Sequence, residues 1–172
     1  MRLERMTRSI AATMFFLSIA AVACSEKTYR PAITEDAAGI DSLNARLEQA
    51  YRSRDPGKYG VLFTDSGVFE WPAVNSVRGR PGLEAMAHEL WPMLNELDLR
   101  VKPTSRRIAE DHATEFGAFE ESWRDPKGVR MTEFGRYATY LTRQPDKTWR
   151  IDRWLGFEDS VRSQPATPAP GK

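Results

Sequence analysis

Cysteine, histidine and net charge are all scarce in this chain, and each scarcity removes a class of function. A single cysteine, Cys24, cannot form an intrachain disulfide. The two histidines, His88 and His112, stand far apart in the sequence and lack the spacing of a metal site, so we interpret both as solvated side chains. The formal net charge of +1 offers no basic excess for binding nucleic acid.

Signatures of nucleophilic and phosphate chemistry are also missing. No serine lies in a nucleophile-elbow context, and no glycine-rich loop is present to cradle a phosphate. The segment Arg78-Gly79-Arg80 resembles a basic phosphate clamp, but such residues usually cover the start of a helix. The sequence therefore assigns no catalytic residue, no metal ligand and no cofactor.

The chain does contain enough apolar side chains for one folded domain. Five Trp and eight Phe stand among 41% hydrophobic residues in a chain of 172, a length that fits one domain with tails. We predict four segments: a lipoprotein signal peptide at 1–23, a polar tether at 24–33, a domain at 34–160 and a disordered, proline-rich tail at 161–172.

The first 23 residues have the features of an export signal. Three arginines make its start positive: Arg2, Arg5 and Arg8. The apolar run at 10–22 is shorter than the roughly 20 residues that span a bilayer. It ends in Ala21-Val22-Ala23-Cys24, which resembles a bacterial lipobox. That resemblance implies a lipid attached to Cys24; an ordinary signal peptide cut near Ala23 is the alternative.

The cellular address follows from the same resemblance. Ser25, rather than an aspartate, follows the cysteine. By resemblance to the enterobacterial sorting rules, a residue other than aspartate at this position implies a lipid-anchored protein of the cell envelope, in the outer membrane and facing the periplasm.

Apolar periodicity predicts three helices. They cover 34–54, a short segment opened by Pro56 with Asp55 as N-cap, and Pro81 to about Leu94. Pro92 is expected to kink or end the third helix. Strands are predicted at 68–71, 97–102, 113–124, 132–142 and 148–157. We predict a bulge or edge position at Pro103. Helices on one face of such a sheet make an α+β domain, here a cone of strongly curved antiparallel sheet with three helices over its concave face.

These elements resemble the nuclear transport factor 2-like superfamily, including its SnoaL-like members and a branch catalogued as a domain of unknown function, number 4440. The resemblance covers about residues 36–158. It is carried by Arg54-Asp55, Leu62-Phe63-Thr64-Asp65, Gly79, Gly117, Gly135-Arg136-Tyr137 and Trp149-Arg150-Ile151. Ketosteroid isomerases of this superfamily use a tyrosine and two aspartates. The corresponding positions here hold Leu47, Trp71 and Ala138, so an enzymatic role is disfavoured. Glu70, next to Trp71, is a further candidate carboxylate, although a surface position on the opposite strand face is the better interpretation.

Strand alternation predicts which side chains line the cone. We place two sets on the concave face: Phe134, Arg136, Ala138 and Tyr140, and Trp149, Ile151, Arg153, Leu155 and Phe157. With them we place Glu115, Gly117, Phe119, Glu121 and Trp123 from the preceding strand. The candidate pocket residues are therefore Trp71, Tyr140, Arg153, Glu115, Glu121 and Trp123. The alternative for the charged members is that arginine and glutamate pair across strands and stabilise the sheet.

We predict a homodimer from the side chains on the opposite, outer face of these strands. Tyr137, Thr139, Leu141 and Trp154 are expected there and would form an apolar patch. Three functions stay open: binding a small apolar molecule in the cone, an envelope interaction domain with a filled cavity, or an isomerase, cyclase or dehydratase that uses a pocket carboxylate. The residues rank them in that order.

Overall fold

The computed structural model describes residues 34–72 and 75–164. The predicted signal peptide, tether and lipid attachment at Cys24 lie outside these residues. The elements in chain order are α1 (Thr34–Ser53), α2 (Pro56–Gly60), β1 (Phe63–Glu70), β2 (Val77–Arg78), α3 (Gly79–Leu90), a 3-10 turn (Trp91–Met93), β3 (Asn95–Ala109), β4 (His112–Arg124), β5 (Arg130–Arg143) and β6 (Trp149–Gln164). Among the described helices, none is long and apolar enough to cross a membrane.

The helices follow the predicted start and stop signals. The Asp55 side chain accepts a hydrogen bond from the backbone N–H of Lys58 over 3.0 Å, which confirms it as the N-cap of α2. Helix α3 begins at Gly79, two residues before Pro81. It ends at Leu90, where a 3-10 turn containing Pro92 takes over because proline cannot continue the α-helical hydrogen bonding.

Six strands form one sheet in the order β2-β1-β6-β5-β4-β3. The pairs from β3 to β6 are antiparallel, as expected, but β1 runs parallel to β6. Strand β1 begins at Phe63, so the predicted short strand at 68–71 is longer and starts earlier. The register of the edge strand β3 shifts between Pro103 and Ser105, which confirms the expected irregularity. Strand β6 continues to Gln164, four residues past the predicted domain end at 160.

The core lies between the helices and one face of the sheet. Leu43, Leu47 and Ile40 of α1 are buried at helical spacing. The largest fully buried side chains include Trp149 and Phe63 from the strands. This face of the sheet is the inner face of the cone, and the opposite face is called the outer face below.

The predicted face of β4 is correct, but those of β5 and β6 need correction. Glu115 and Phe119 of β4 are buried on the inner face, as expected. On β5 the buried residues are Tyr137, Thr139 and Leu141, which we had expected outside. Tyr140 is instead 51% exposed on the outer face. Both faces of this strand carry large side chains, so alternation alone did not distinguish them.

A β-bulge explains the error on β6. Tyr140 pairs with Arg153 and Leu141 pairs with Ile151, so Asp152 is the extra residue between them. The extra residue reverses the alternation along the strand. Trp149 and Ile151 therefore share the inner face with Trp154, while Arg153 moves to the outer face.

Candidate functional site

A small cavity lies inside the cone, between the helices and the sheet. Its free volume is about 30 Å³, enough for only one or two water molecules. Nine of its lining residues are aromatic or aliphatic and one carries a carboxyl group: Leu47, Tyr51, Tyr59, Phe63, Phe69, Trp71, Leu99, Phe119, Trp154 and Glu121. The space is therefore an aromatic pocket that its own side chains nearly fill.

Among the residues that the structure describes, Glu121 is the one acidic group that lines this wall. It lies on the inner face of β4, opposite Leu99 of β3. Burial among apolar side chains, with a smaller contribution from the negative charge of Glu133, raises the pKa of Glu121 to about 8. At neutral pH the carboxyl group is therefore mostly protonated, and it can donate a hydrogen bond as well as accept one.

Glu133 lies directly across from Glu121 on β5, so the two side chains stand on the same face of neighbouring strands. Burial, and then the charge of Glu158, raises the pKa of Glu133 to about 7. Its Oε1 atom is buried without a hydrogen-bond partner among the described residues. Two carboxyl groups this close do not both ionise readily, and at neutral pH the pair holds at least part of a proton.

Two tyrosines form the helical side of the cavity. Tyr51 of α1 and Tyr59 of α2 meet edge to face with ring centroids 5.8 Å apart. Trp91 packs on both rings at 5.1 and 5.3 Å. Burial raises the pKa of both tyrosine hydroxyls, so they stay protonated at neutral pH.

Trp71 forms the wall between this cavity and the surface. Its indole lies against Phe69 and Phe119 on the inner side. On the other side lies an open cleft of about 210 Å³, which Trp71 also lines. Trp71 is the residue that the cavity and this outer cleft share.

The other candidates from the sequence lie elsewhere. Glu115 is buried on the inner face but does not line the cavity, and it accepts hydrogen bonds from Asn44 over 2.9 Å, from Tyr137 over 2.8 Å and from Arg106 over 2.6 Å. Trp123 packs partly buried against the core and does not line the cavity. The predicted pocket positions of Tyr140 and Arg153 are wrong, because both side chains lie on the outer face.

Cross-strand pairing accounts for two of the charged candidates. Arg153 forms an ion pair of 2.6 Å with Glu70, which points away from the cavity as its neighbour Trp71 points in. Arg106 of β3 pairs with Glu115 of β4 in the same way. These arginines and glutamates stabilise the sheet, as the alternative interpretation held.

Sequence reasoning missed Tyr51, Tyr59 and Glu133 as site residues. The tyrosines were visible as apolar positions of two helices, but no pattern showed that both helices end over the same part of the sheet. Glu133 was visible in a predicted strand, and only the register places it beside Glu121. Within residues 34–72 and 75–164, no group of three or more His, Cys, Asp or Glu side chains is arranged to hold a metal ion.

Comparison with known proteins agrees with this architecture. The family profile described as "SnoaL-like domain" matches residues 32–155, well over half of the chain. The chain belongs to the SnoaL-like domain family. This SnoaL-like protein therefore has the nuclear transport factor 2-like fold that the sequence predicted. No curated protein matches its sequence significantly.

Solved structures share the fold at low sequence identity. A ketosteroid isomerase-like protein from Erwinia carotovora atroseptica SCRI1043 is 18% identical with a TM-score of 0.66, over 74% of this chain and 99% of that one. An NTF2-like protein with a cystatin-like fold from Novosphingobium aromaticivorans is 20% identical with a TM-score of 0.61, over 71% and 80%. A hexachlorocyclohexane dehydrochlorinase from Novosphingobium barchaimii LL02 is 14% identical with a TM-score of 0.65, over 80% and 96%. At these identities the likeness shows the fold alone.

Proposed function

We propose that this SnoaL-like domain binds a small, mainly apolar molecule in the aromatic cavity and that protonated Glu121 holds a polar atom of that molecule. The observation that carries the proposal is that, among the described lining residues, a single carboxyl group stands on a wall otherwise made of aromatic and aliphatic side chains. Apolar walls with a few placed polar groups are typical of small-molecule sites. Because burial keeps Glu121 neutral, its desolvation does not oppose binding as an ionised carboxylate would.

A ligand larger than one or two waters needs the wall to move, since the free volume is about 30 Å³. The tight filling also supports the alternative in which the cone is a structural core and an envelope partner binds outside. The two alternatives differ in one measurable respect: only the first predicts that apolar molecules bind inside the cone.

A second candidate function is catalysis by proton transfer. The observation that favours it is the pKa of Glu121 near 8, close to the pH at which a general acid or base works best. The structures with the same fold include a dehydrochlorinase and a ketosteroid isomerase-like protein. Those activities belong to those proteins, and they suggest the reaction class to test here.

Calorimetry with naphthalene and 1-naphthol tests the binding proposal, because the two rings differ only in a hydroxyl group. We expect the protein to prefer 1-naphthol by about fivefold, as one hydrogen bond is worth about 1 kcal/mol. Glu121→Gln keeps a neutral hydrogen-bonding group and retains the preference, whereas Glu121→Leu loses it. Glu120→Gln is the matched control, since Glu120 is the neighbouring residue and pairs with Lys102 on the outer face. Failure of both compounds to bind would favour the filled core.

The catalytic candidate has its own test in the same variants. Exchange of the α-protons of 2-tetralone in D₂O, followed by NMR, reports any proton transfer at a carbon next to a carbonyl. A catalyst would accelerate the exchange, and Glu121→Gln would abolish the acceleration while it still binds 1-naphthol. Equal exchange with and without the protein rules out this chemistry for that ketone.

We also propose a homodimer through the outer sheet face, with residues other than those first expected. Phe116, Tyr140 and Phe157 are exposed there by 50%, 51% and 43%, beside an apolar groove of about 550 Å³ lined by Phe116 and Phe157. Arg136 lines the groove and forms an ion pair with Asp159. Because both signs of charge are present, a second copy related by a twofold axis can match them. Lipid attachment at Cys24 in the cell envelope remains part of the proposal.

A further inference from the structure

The indole of Trp71 occupies a flat slot between the inner cavity and the outer cleft. On one side its ring is parallel to that of Phe69, with an interplanar angle of 1° and centroids 6.2 Å apart. Phe119 borders the slot at 5.7 Å with a tilt of 59°. The slot that holds the indole is therefore lined by aromatic rings on its cavity side.

Gly156 makes the remaining boundary of this slot. A Cβ atom built on Gly156 would overlap with the six-membered ring of Trp71. The absence of a side chain at this inner-face position of β6 is what gives the indole its space. A thicker, saturated ring system would meet the Gly156 backbone where a flat ring passes.

An open cleft adjoins the side chain of Trp71 on the outer side. The outer cleft beside it has a volume of about 210 Å³ and is bounded by Leu155, Phe157 and Ser76 among others. Trp71 precedes Pro72, which restricts its backbone to extended conformations. Displacement of the indole would therefore take place by rotation about the side-chain bonds, between staggered rotamers, with β1 kept in register.

We propose that a flat aromatic ring of the ligand replaces the indole of Trp71 in the slot between Phe69 and Gly156, with Trp71 turned into the outer cleft. This inference rests on the proposed function and narrows the ligand class to planar aromatic molecules with a polar substituent directed toward Glu121. It also resolves the shortage of space, because the vacated slot joins the inner cavity to the cleft. Trp71 then sets the specificity, since it selects ligands that stack at least as well as the indole does.

Indole itself is the probe, because it matches the group that leaves. The protein is labelled with 5-fluorotryptophan, and the ¹⁹F signal of Trp71 is assigned by its loss in Trp71→Phe. We expect indole to move the Trp71 signal in the wild type while the signals of Trp91 and Trp149 stay in place. Gly156→Ala, whose new methyl group pushes the ring outward, should move the same signal without indole. Trp71→Ala should bind indole at least tenfold more tightly than the wild type, since no side chain has to be displaced.

Trp123→Ala is the matched control, as it also removes a partly buried indole from the sheet but does not line the cavity; it should bind indole as the wild type does. Indole that binds the wild type and leaves the Trp71 signal unmoved overturns this inference and leaves the proposed function standing. Binding to Trp71→Ala alone overturns displacement in the wild type. Failure of indole to bind either protein overturns the inference, and the naphthol measurement then decides the proposed function. Should Trp71→Ala not fold, the wild-type and Gly156→Ala signals still decide the question.

Discussion

Tyr137 donates its hydroxyl hydrogen to Oε1 of Glu115 over 2.8 Å, across two neighbouring strands of the inner face. Glu115 is fully buried, and Asn44 of α1 and Arg106 of β3 donate to the same carboxylate. Arg106 also donates a hydrogen bond to Oδ1 of Asp41 in α1 over 2.7 Å. A buried charge is tolerated only when it is paired and hydrogen-bonded, and this network meets that requirement while it joins α1 to the sheet.

Removing the charge of Glu115 should destabilise the protein strongly. Glu115→Ala leaves Arg106 partly unpaired and the hydroxyl of Tyr137 without its acceptor, and we expect a loss of about 3 kcal/mol in the free energy of unfolding. Tyr137→Phe should cost about 1–2 kcal/mol, since Glu115 keeps two other donors. Urea denaturation measures both. Glu120→Gln, on the opposite face of the same strand, should change the free energy of unfolding by less than about 0.5 kcal/mol. A comparable loss in that control would contradict the assigned role of the network.

The stability of the protein should fall between about pH 5 and pH 8. The pKa of Glu121 is about 8 in the folded protein, against about 4.3 in an unfolded chain, so the folded state binds the extra proton in this window. The resulting slope is up to about 1.4 kcal/mol per pH unit for one group. Glu121→Gln has no titrating group at this position, so the stability of this variant should depend less on pH.

Thermal unfolding at pH 5 and pH 8 checks this prediction. We expect the unfolding temperature of Glu121→Gln, relative to that of the wild type, to be higher at pH 8 than at pH 5. Glu133 contributes in the same direction, because its folded pKa of about 7 is also raised. An identical pH dependence in the wild type and in Glu121→Gln would show that Glu121 is ionised across the whole range.

Substitution on the outer face should separate the proposed dimer. Phe157→Asp places a charge beside the apolar groove, and burying an unpaired charge in an interface is unfavourable. We expect light scattering to give a dimer for the wild type and a monomer for this variant. Leu90→Asp is the control, because Leu90 is 46% exposed at the end of α3 and does not line the groove. A monomeric wild type at micromolar concentration would argue against the dimer.

Lipid attachment should depend on Cys24 alone. Mass spectrometry of the membrane fraction is expected to find a diacylglycerol on Cys24, and Cys24→Ser should move the protein out of that fraction. Each buried methylene of the lipid contributes about 0.8 kcal/mol to anchoring. An unmodified Cys24 in the wild type would support the ordinary signal peptide instead.

Local signals in the sequence were sufficient for the three helices and for most of strands β4 to β6, but not for β2 or the second half of β3. Asp55-Pro56 marked the start of α2 because an N-cap side chain and a proline act on the adjacent backbone. The predicted strands at 132–142 and 148–157 are joined by Gln144-Pro145-Asp146-Lys147, residue types that favour a turn, and they pair as the hairpin of β5 and β6. The parallel pairing of β1 with β6 joins segments more than 80 residues apart, and no local signal reports it.

The candidate site was only partly predictable. Glu121 and Trp71 were identified because β4 alternates cleanly and because Trp71 occupies the place of an isomerase base in the resemblance. Arg153 was placed wrongly because one bulged residue, Asp152, reverses the side-chain direction along β6. Tyr140 was placed wrongly because β5 carries large side chains on both of its faces. Bulges depend on how two strands pair, and a single strand sequence does not encode them.

The sequence by itself determined the helices, most strands, the family resemblance and the presence of a carboxyl group among aromatic residues. Only the tertiary structure decided which of those residues meet. The elevated pKa of Glu121 arises from burial in a cavity that Tyr59 of α2 and Phe119 of β4 also line, and from the charge of Glu133 on β5. A pKa depends on the dielectric and on the charges within a few ångströms. It is therefore determined by the packed fold and cannot be read from any one segment of the sequence.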